Sequence, residues 1–444
     1  MAAISLPEQI SASLNYAINH IVENKQKYVS DPDKDFTRNR KLTMGDTVKL
    51  LLSMEGGSLN KELYKYYEVS NTRVTASAFV QQRNKISPYA FKEVFRLFNN
   101  ECYDSKTYHG WHIYAADGAD INMFRNPDSA TFITSEQYPY GYNQMHLNAL
   151  YDICNRTYAD AVIQPRPRMD ERSALITMLK RNIFRGKNII VVDRGYESYN
   201  MFAHFLNTDN VEFVCRVKQG AGALKEVSKL PMQELDRNVT VEITTTQTNE
   251  DKRHQRRFIQ TGSKKGKVNS PKTRIGNWDF ESPYTLNFRV VRFMLNTGEY
   301  ETIVTSLPRS VFPMKNIKEI YHMRWGIETS FRELKYIIGL VNLHGKKDEF
   351  VEQEIYAALT MYNFCERIAG AIVVRKSKKN VYAYQLNFTM AISLCRSFYK
   401  SQRKDGDRLM DDISRYTEPI RPDRMDKRKM RPKGFVGFTY RIAA

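Results

Sequence analysis

The chain has 444 residues, 42% of them hydrophobic, enough for about two to four folded units and a sizeable core. Its 68 Lys and Arg against 49 Asp and Glu leave a net charge of +19, which calls for a polyanionic partner, nucleic acid before an acidic membrane. No run approaches about 18 uninterrupted apolar residues, the start lacks the basic and apolar regions of a secretory leader, and the five scattered cysteines form no Cys-x-x-Cys pair; a membrane span, a zinc site and a disulfide framework are all unexpected, and a reducing cytoplasm fits.

Residues 1–100 read as a helical, basic domain for binding DNA. Glu8 to Val29 has helical apolar spacing, and short helices at Asp46–Met54 and Ser58–Tyr67 flank Gly56-Gly57, a pattern compatible with a helix-turn-helix. The stretch Thr75–Ile86 then opens a helix carrying Ser77, Gln81, Arg83 and Lys85, side chains suited to phosphates and base edges. A solvated helix face explains the same residues.

Residues 101–218 read as α/β. Trp111 to Asp117 is a strand ending at Asp117-Gly118, His146–Ile153 and Tyr158–Ile163 form a hairpin, and Asp170–Phe184 is a helix. Asn188-Ile-Ile-Val-Val-Asp193 is a buried strand with an acid at its carboxyl end, where open α/β sheets bind ligands. The order strand, hairpin, helix, strand is that of an RNase H-like core, with Asp117 on its first strand and Asp193 after its fourth. Tyr199–Leu206 and Val211–Lys218 add a helix and a strand.

Residues 219–300 change to Thr-rich alternation with strands expected at Val239–Thr246, Ile275–Phe280 and Tyr284–Phe293, a β-rich insertion. Lys252 to Arg274 holds nine Lys or Arg, a loop suited to DNA. Residues 301–375 return to the core, with a long helix starting at Pro313 and another over Phe350–Val374. Residues 376–444 form a helical C-terminal region, with a helix at 382–400 and a basic, Pro-broken tail over Arg421–Lys433.

The long helix carries Tyr321-His-Met-Arg-Trp-Gly-Ile-Glu-Thr-Ser-Phe-Arg-Glu-Leu-Lys335. At about 100° per residue, Tyr321, Arg324, Glu328 and Lys335 fall within roughly 60° of one another, beside an apolar arc of Ile320, Ile327, Phe331, Leu334 and Ile338. A phenol, a guanidinium, a carboxylate and an ammonium in one stripe suit a metal and phosphates. The spacing Y-x(2)-R-x(3)-E-x(6)-K, with Trp325, Ile327 and Phe331 around it, resembles the Tyr-Arg-Glu-Lys signature of cut-and-paste DDE transposases of the insertion-sequence-four (IS-four) family. Asp193-Arg-Gly-Tyr is similar to that family's second motif, and Ser77-Ala-Phe-x-Gln81-x-Arg83 to a stretch before its core.

The resemblance implies an RNase H-like mixed-sheet catalytic core with a β-rich insertion. It implies Asp117, Asp193 and Glu328 as catalytic ligands of two Mg2+ ions, with Mn2+ able to substitute. Three acids crowded without metal should have raised carboxyl pKa values. Arg324, Lys335, Tyr321 and Arg194 become contacts to double-stranded DNA, and Trp325 a stacking group for a displaced base, with Trp278 a weaker second. Asp120, Glu333, His146, Glu354 and Asn363 are read as structural. The activity implied is cleavage at inverted-repeat ends and strand transfer, through a hairpin in known relatives, by a homodimer in the bacterial cytoplasm at the nucleoid. A silent RNase H-like DNA-binding protein and another RNase H-like nuclease are the alternatives; the three acids, the signature spacing and the insertion argue against them.

Overall fold

The computed structural model describes residues 4–421, apart from 39, 68–73, 103–104, 182, 221–223, 261–276, 375–381 and 402–403. Five helices come first: α1 (Leu6–Glu23), α2 (Met44–Ser53), α3 (Leu59–Tyr66), α4 (Ala76–Arg83) and α5 (Pro88–Glu101). Thr43, Ser58, Thr75 and Ser87 each cap one of them by accepting a backbone N–H, which explains where the helices begin. α1 stops at Glu23, six residues short of the expected Val29, and a single 3-10 turn follows.

The middle of the chain alternates strand and helix: β1 (Trp111–Met123), β2 (Phe132–Ser135), β3 (Tyr138–Asp152), β4 (Thr157–Pro165), α6 (Glu171–Lys180), β5 (Lys187–Val192), α7 (Tyr199–Leu206) and β6 (Val211–Arg216). Short helices α8 (Lys225–Ser228) and α9 (Asn249–Arg253) lie among β7 (Leu235–Thr244), β8 (Arg257–Phe258), β9 (Tyr284–Met294) and β10 (Tyr300–Thr305). Then come α10 (Met314–Met323), α11 (Trp325–Tyr336), α12 (Asp348–Ala369), β11 (Ala383–Leu386), α13 (Phe388–Ser401), α14 (Gly406–Ser414) and β12 (Thr417–Ile420).

Among the described residues, ten strands form one mixed sheet in the order β2-β3-β1-β5-β6-β10-β9-β7-β8, with β4 on β3. β1, β5 and β6 are parallel neighbours, and β10 joins β6 antiparallel. The strands expected in the β-rich segment therefore extend the same sheet: β9 pairs with β10, and β7 with β9. One face of the central strands packs Tyr114, Ile190 and Phe213 against α6 and α7. The other packs Ile113, Ile189 and Val214 against α10, while Ala115 and Ala149 lie under α11 and α12. α12, buried almost all round, joins this layer to the N-terminal helices through Phe91, Phe98, Leu359 and Phe364.

Four local expectations differ. β1 does not end at Asp117-Gly118. It runs on to Met123, because β3 starts early enough to pair Met123 with Asn143. The helix expected over Pro313 to Lys335 is two helices joined at Arg324, where i to i−3 bonds (Arg324 to Tyr321, Ile327 to Arg324) tighten one turn. Residues 383–386 are strand, not helix: they pair with β12, and α13 starts after Asn387, whose side chain accepts from the Met390 N–H. Asn277–Phe280 form no strand, and Trp278 packs edge-on against Phe280 and Tyr284. Most of the basic loop between Lys252 and Arg274, the rest of Ile275–Phe280 and the tail beyond Arg421 lie outside the described residues.

Candidate active site

The three acids come from the middle of β1, the end of β5 and α11. Ala116 of β1 pairs with Val192 of β5, so Asp117 and Asp193 leave the same rung of adjacent strands, whose backbones lie about 4.8 Å apart. Asp117 stands on the face covered by α11. There the Arg324 guanidinium, at the junction of α10 and α11, holds it: Nη1 is 3.5 Å from Asp117 Oδ2 and Nη2 is 2.9 Å from Glu328 Oε1. One buried cation thus joins the first acid to the third.

Burial, aided by Asp193 and Glu171, pushes the Asp117 carboxyl up to about 6, against the pull of the Gly118 N–H and Arg324. Asp193 Oδ1 accepts from the Gly195 N–H at 2.7 Å, which fixes the turn after β5. As they lie, no three Asp, Glu, His or Cys side chains among the described residues are grouped closely enough to hold one ion. The donor set is nevertheless three carboxylates, the oxygen ligands that hard divalent ions take, with a guanidinium standing between two of them.

Residues 112–364 match the family model described as "Transposase DDE domain". The chain belongs to this family. It is a DDE transposase, an enzyme of DNA transposition. No curated protein matches it significantly in sequence. Among solved structures it is similar to the cryo-EM structure of a piggyBac transposase synaptic complex with hairpin DNA, at 10% identity and a TM-score of 0.43, over 94% of this chain and 84% of that one.

The other residues singled out in the transposase sequence divide sharply. Trp325 is 54% exposed, with the Arg324 guanidinium 5.1 Å from its ring centroid. Arg194 is exposed beside Asp193, and Lys335 is half-buried, its ammonium pKa lowered by burial against the opposing pull of Asp120. Tyr321 is 5% exposed and packs with Ile317 and Ile320 on the sheet, so its hydroxyl is not presented to a phosphate. Arg324 is itself buried and engaged by the acids, not open to DNA in this state.

In the N-terminal helices, Ser77 and Gln81 are exposed and bonded to each other at 3.3 Å. Lys85 faces Asp35 at 3.8 Å. Arg83 is not a DNA contact: it is 1% exposed and paired with Glu354 of α12 at 2.8 Å. Its polar group serves a buried interface instead. Asp120 and Glu333 are both turned away from the three acids, Asp120 onto His146 and Arg166, Glu333 onto Arg156 and Tyr362. No helix among the described residues of the transposase is long and apolar enough to cross a membrane.

The inner face of α11 is fastened to the sheet and α12 by polar groups. Ser330 meets Tyr158 Oη at 2.9 Å, Tyr362 Oη donates to Glu333 at 2.8 Å, and Arg156 bridges Glu333 and Glu366. Burial pushes the Glu366 carboxyl up to about 7, against Arg156 and with Glu333 adding repulsion. A carboxyl raised from 4.5 stabilises the fold fully only below about pH 4.5, and the contribution is lost as pH rises to 7. Glu366→Gln removes that loss. Between pH 5 and pH 8, urea unfolding should show the variant gaining up to about 3 kcal/mol on wild type; a difference that does not change with pH would contradict this assignment.

One acid near these residues was not singled out from the sequence. Glu171, the first residue of α6, points between the residues that follow Asp117 and Asp193. An acid in the first turn of a helix is explained by the helix dipole, so its sequence position carries no catalytic signal.

Proposed function

We propose that this transposase is a cut-and-paste enzyme of the IS-four kind, with Asp117, Asp193 and Glu328 as its metal-binding acids and an RNase H-like core. The observation that carries the reading is the Arg324 bridge between Asp117 and Glu328 beside Asp193, which gathers three motifs far apart in sequence. The core reading is supported by the order β1, β3–β4 hairpin, α6, β5, with β5 parallel to β1.

The three carboxylates would hold two divalent ions, Mg2+ with Mn2+ able to substitute. When bound, such ions activate the attacking water or hydroxyl and stabilise the leaving oxygen of a phosphodiester. The protein's own residues do the rest. Ionised Asp117, Asp193 and Glu328 would supply hard oxygen ligands from the middle of β1, the end of β5 and α11. Arg324, once its carboxylates are taken by metal, is released to the phosphates flanking the scissile bond, and Lys335 and Arg194 flank it. Trp325 offers an exposed ring for a base displaced from the stack, which suits a hairpin route. Ser77, Gln81 and Lys85 are left as candidate contacts to DNA further from the cut, and two copies acting on paired ends complete the reading, at the nucleoid of a bacterial cell.

The test is excision from a plasmid carrying the element's own inverted-repeat ends, with Mg2+. A double-strand break at each end is expected, and hairpin-ended products should run at twice their length under denaturing conditions. Bound DNA left uncut, or nicked on one strand only, would overturn the cut-and-paste reading.

A further inference from the structure

Glu171 is not the residue that caps α6. Asp170 already caps α6, accepting from the Ser173 N–H at 3.1 Å and the Ser173 hydroxyl at 2.7 Å. Glu171 is 29% exposed, and it lies over two glycines. Its Oε1 is 2.7 Å from where a Cβ on Gly118 would stand, and its Oε2 is 3.7 Å from the corresponding point on Gly195, itself 2.9 Å from Asp193 Oδ1. The carboxylate therefore spans from the residue after Asp117 to the turn after Asp193.

Neither glycine is in the left-handed region, so the backbone does not require glycine at either position. A glycine inside a strand such as β1 weakens it and marks a close approach. Here the missing side chains make room for Glu171 and its partner. His146 is buried, with Nε2 3.1 Å from Glu171 Oε1 and Nδ1 2.7 Å from Asp120 Oδ1, and Asp120 is held in turn by Arg166 Nε at 2.8 Å. A side chain at Gly118 would collide with that His146 nitrogen. Arg172, the next residue of α6, donates to the Gly195 carbonyl at 2.9 Å and ties the turn carrying Asp193 to the same helix end.

We propose that Glu171 is a fourth carboxylate of the metal site, with His146 as the residue that positions it. This rests on the three-acid reading above. Asp117, Asp193, Glu328 and Glu171 carry four negative charges, which two divalent ions balance once Arg324 is released. A carboxylate ligand oriented by a hydrogen-bond chain through the buried His146 to Asp120 and Arg166 has the usual arrangement of metal ligands held from behind.

The test uses the full chain and Mn2+ alone, by calorimetric titration. Glu171→Gln should weaken Mn2+ binding by about tenfold or more, and His146→Gln by about tenfold, with circular dichroism and DNA binding retained. Fe2+ with ascorbate and peroxide gives a second measurement on wild type that needs no variant to fold: backbone scission should fall near residue 171 as well as near 117 and 193. Wild-type Mn2+ affinity in folded Glu171→Gln, or scission near 117 and 193 without scission near 171, overturns this proposal and leaves the three acids standing. If Asp117→Asn and Glu328→Gln also bind Mn2+ as wild type does, or wild type binds none, the three-acid reading itself falls, and this proposal with it.

Discussion

Arg83→Ala should cost about 3–5 kcal/mol of stability, with the DNA affinity of the folded fraction unchanged. Arg83 lies at the end of α4, sealed between the N-terminal helices and α12. Its Nε donates to Gln353 Oε1 at 2.7 Å, Nη1 pairs with Glu354 Oε1 at 2.8 Å, Nη2 donates to the Phe350 carbonyl, and the guanidinium lies 4.4 Å from the Phe350 ring centroid. Glu354 is buried too. Despite that burial its pKa is held down to about 2 by Arg83 and His344, so losing Arg83 leaves a buried carboxyl that must either stay charged without its main cation or take up a proton. Its other acceptor bonds, from the backbone N–H groups of His344 and Gly345, do not replace the lost charge. An uncompensated buried carboxylate is the expensive outcome of breaking such a pair. Urea denaturation of Arg83→Ala and a filter-binding assay on the same sample decide the matter. Unchanged stability with weakened DNA binding would return Arg83 to the DNA-contact set.

Arg83 also shows where reading from sequence stops. Its polar neighbours Ser77 and Gln81 do face solvent, and nothing within α4 distinguishes Arg83 from them. The distinguishing partner, Glu354, is 271 positions away. Asp193 was legible because its signal is local: four β-branched residues make a buried strand, and the acid follows at its end. The helical character of Tyr321 to Lys335 was legible for the same reason, since helical spacing is a short-range property, but Tyr321 is buried and does not share an open stripe with Glu328 and Lys335. The break at Arg324 was not legible, because the guanidinium's partners include Asp117 on a strand distant in sequence.

Asp117 was identified for its position but not for its surroundings. Asp-Gly reads locally as a turn, yet β1 continues through it, because β3 supplies a partner as far as Met123 and because Gly118 makes way for His146. Glu171 had a sufficient local explanation at a helix start and so drew no attention. Strands β11 and β12 were missed because each is four residues long and is defined by the other. In each case the residues lost to the sequence are those whose roles are set across the sheet and not along the chain.

The three-acid site predicts the largest effect of all. Asp117→Asn, Asp193→Asn and Glu328→Gln each keep the size and hydrogen-bonding shape of the side chain and remove one ligand charge. Each should lower cleavage by at least about a thousandfold, roughly 4 kcal/mol in the barrier. The losses should not add, because in the proposed site the three acids would share the same metals. DNA binding should persist, since none of the three changes removes a positive charge from a chain of net charge +19.

The most direct measurement is therefore cleavage of a duplex bearing the element's own end, with Mg2+, by wild type and by these three variants at equal bound fraction. Wild type should cut and none of the variants should, with all four bound alike. Cutting by Glu328→Gln at the wild-type rate would contradict this, and would mean that the helix joined to Asp117 through Arg324 does not carry the catalytic acid.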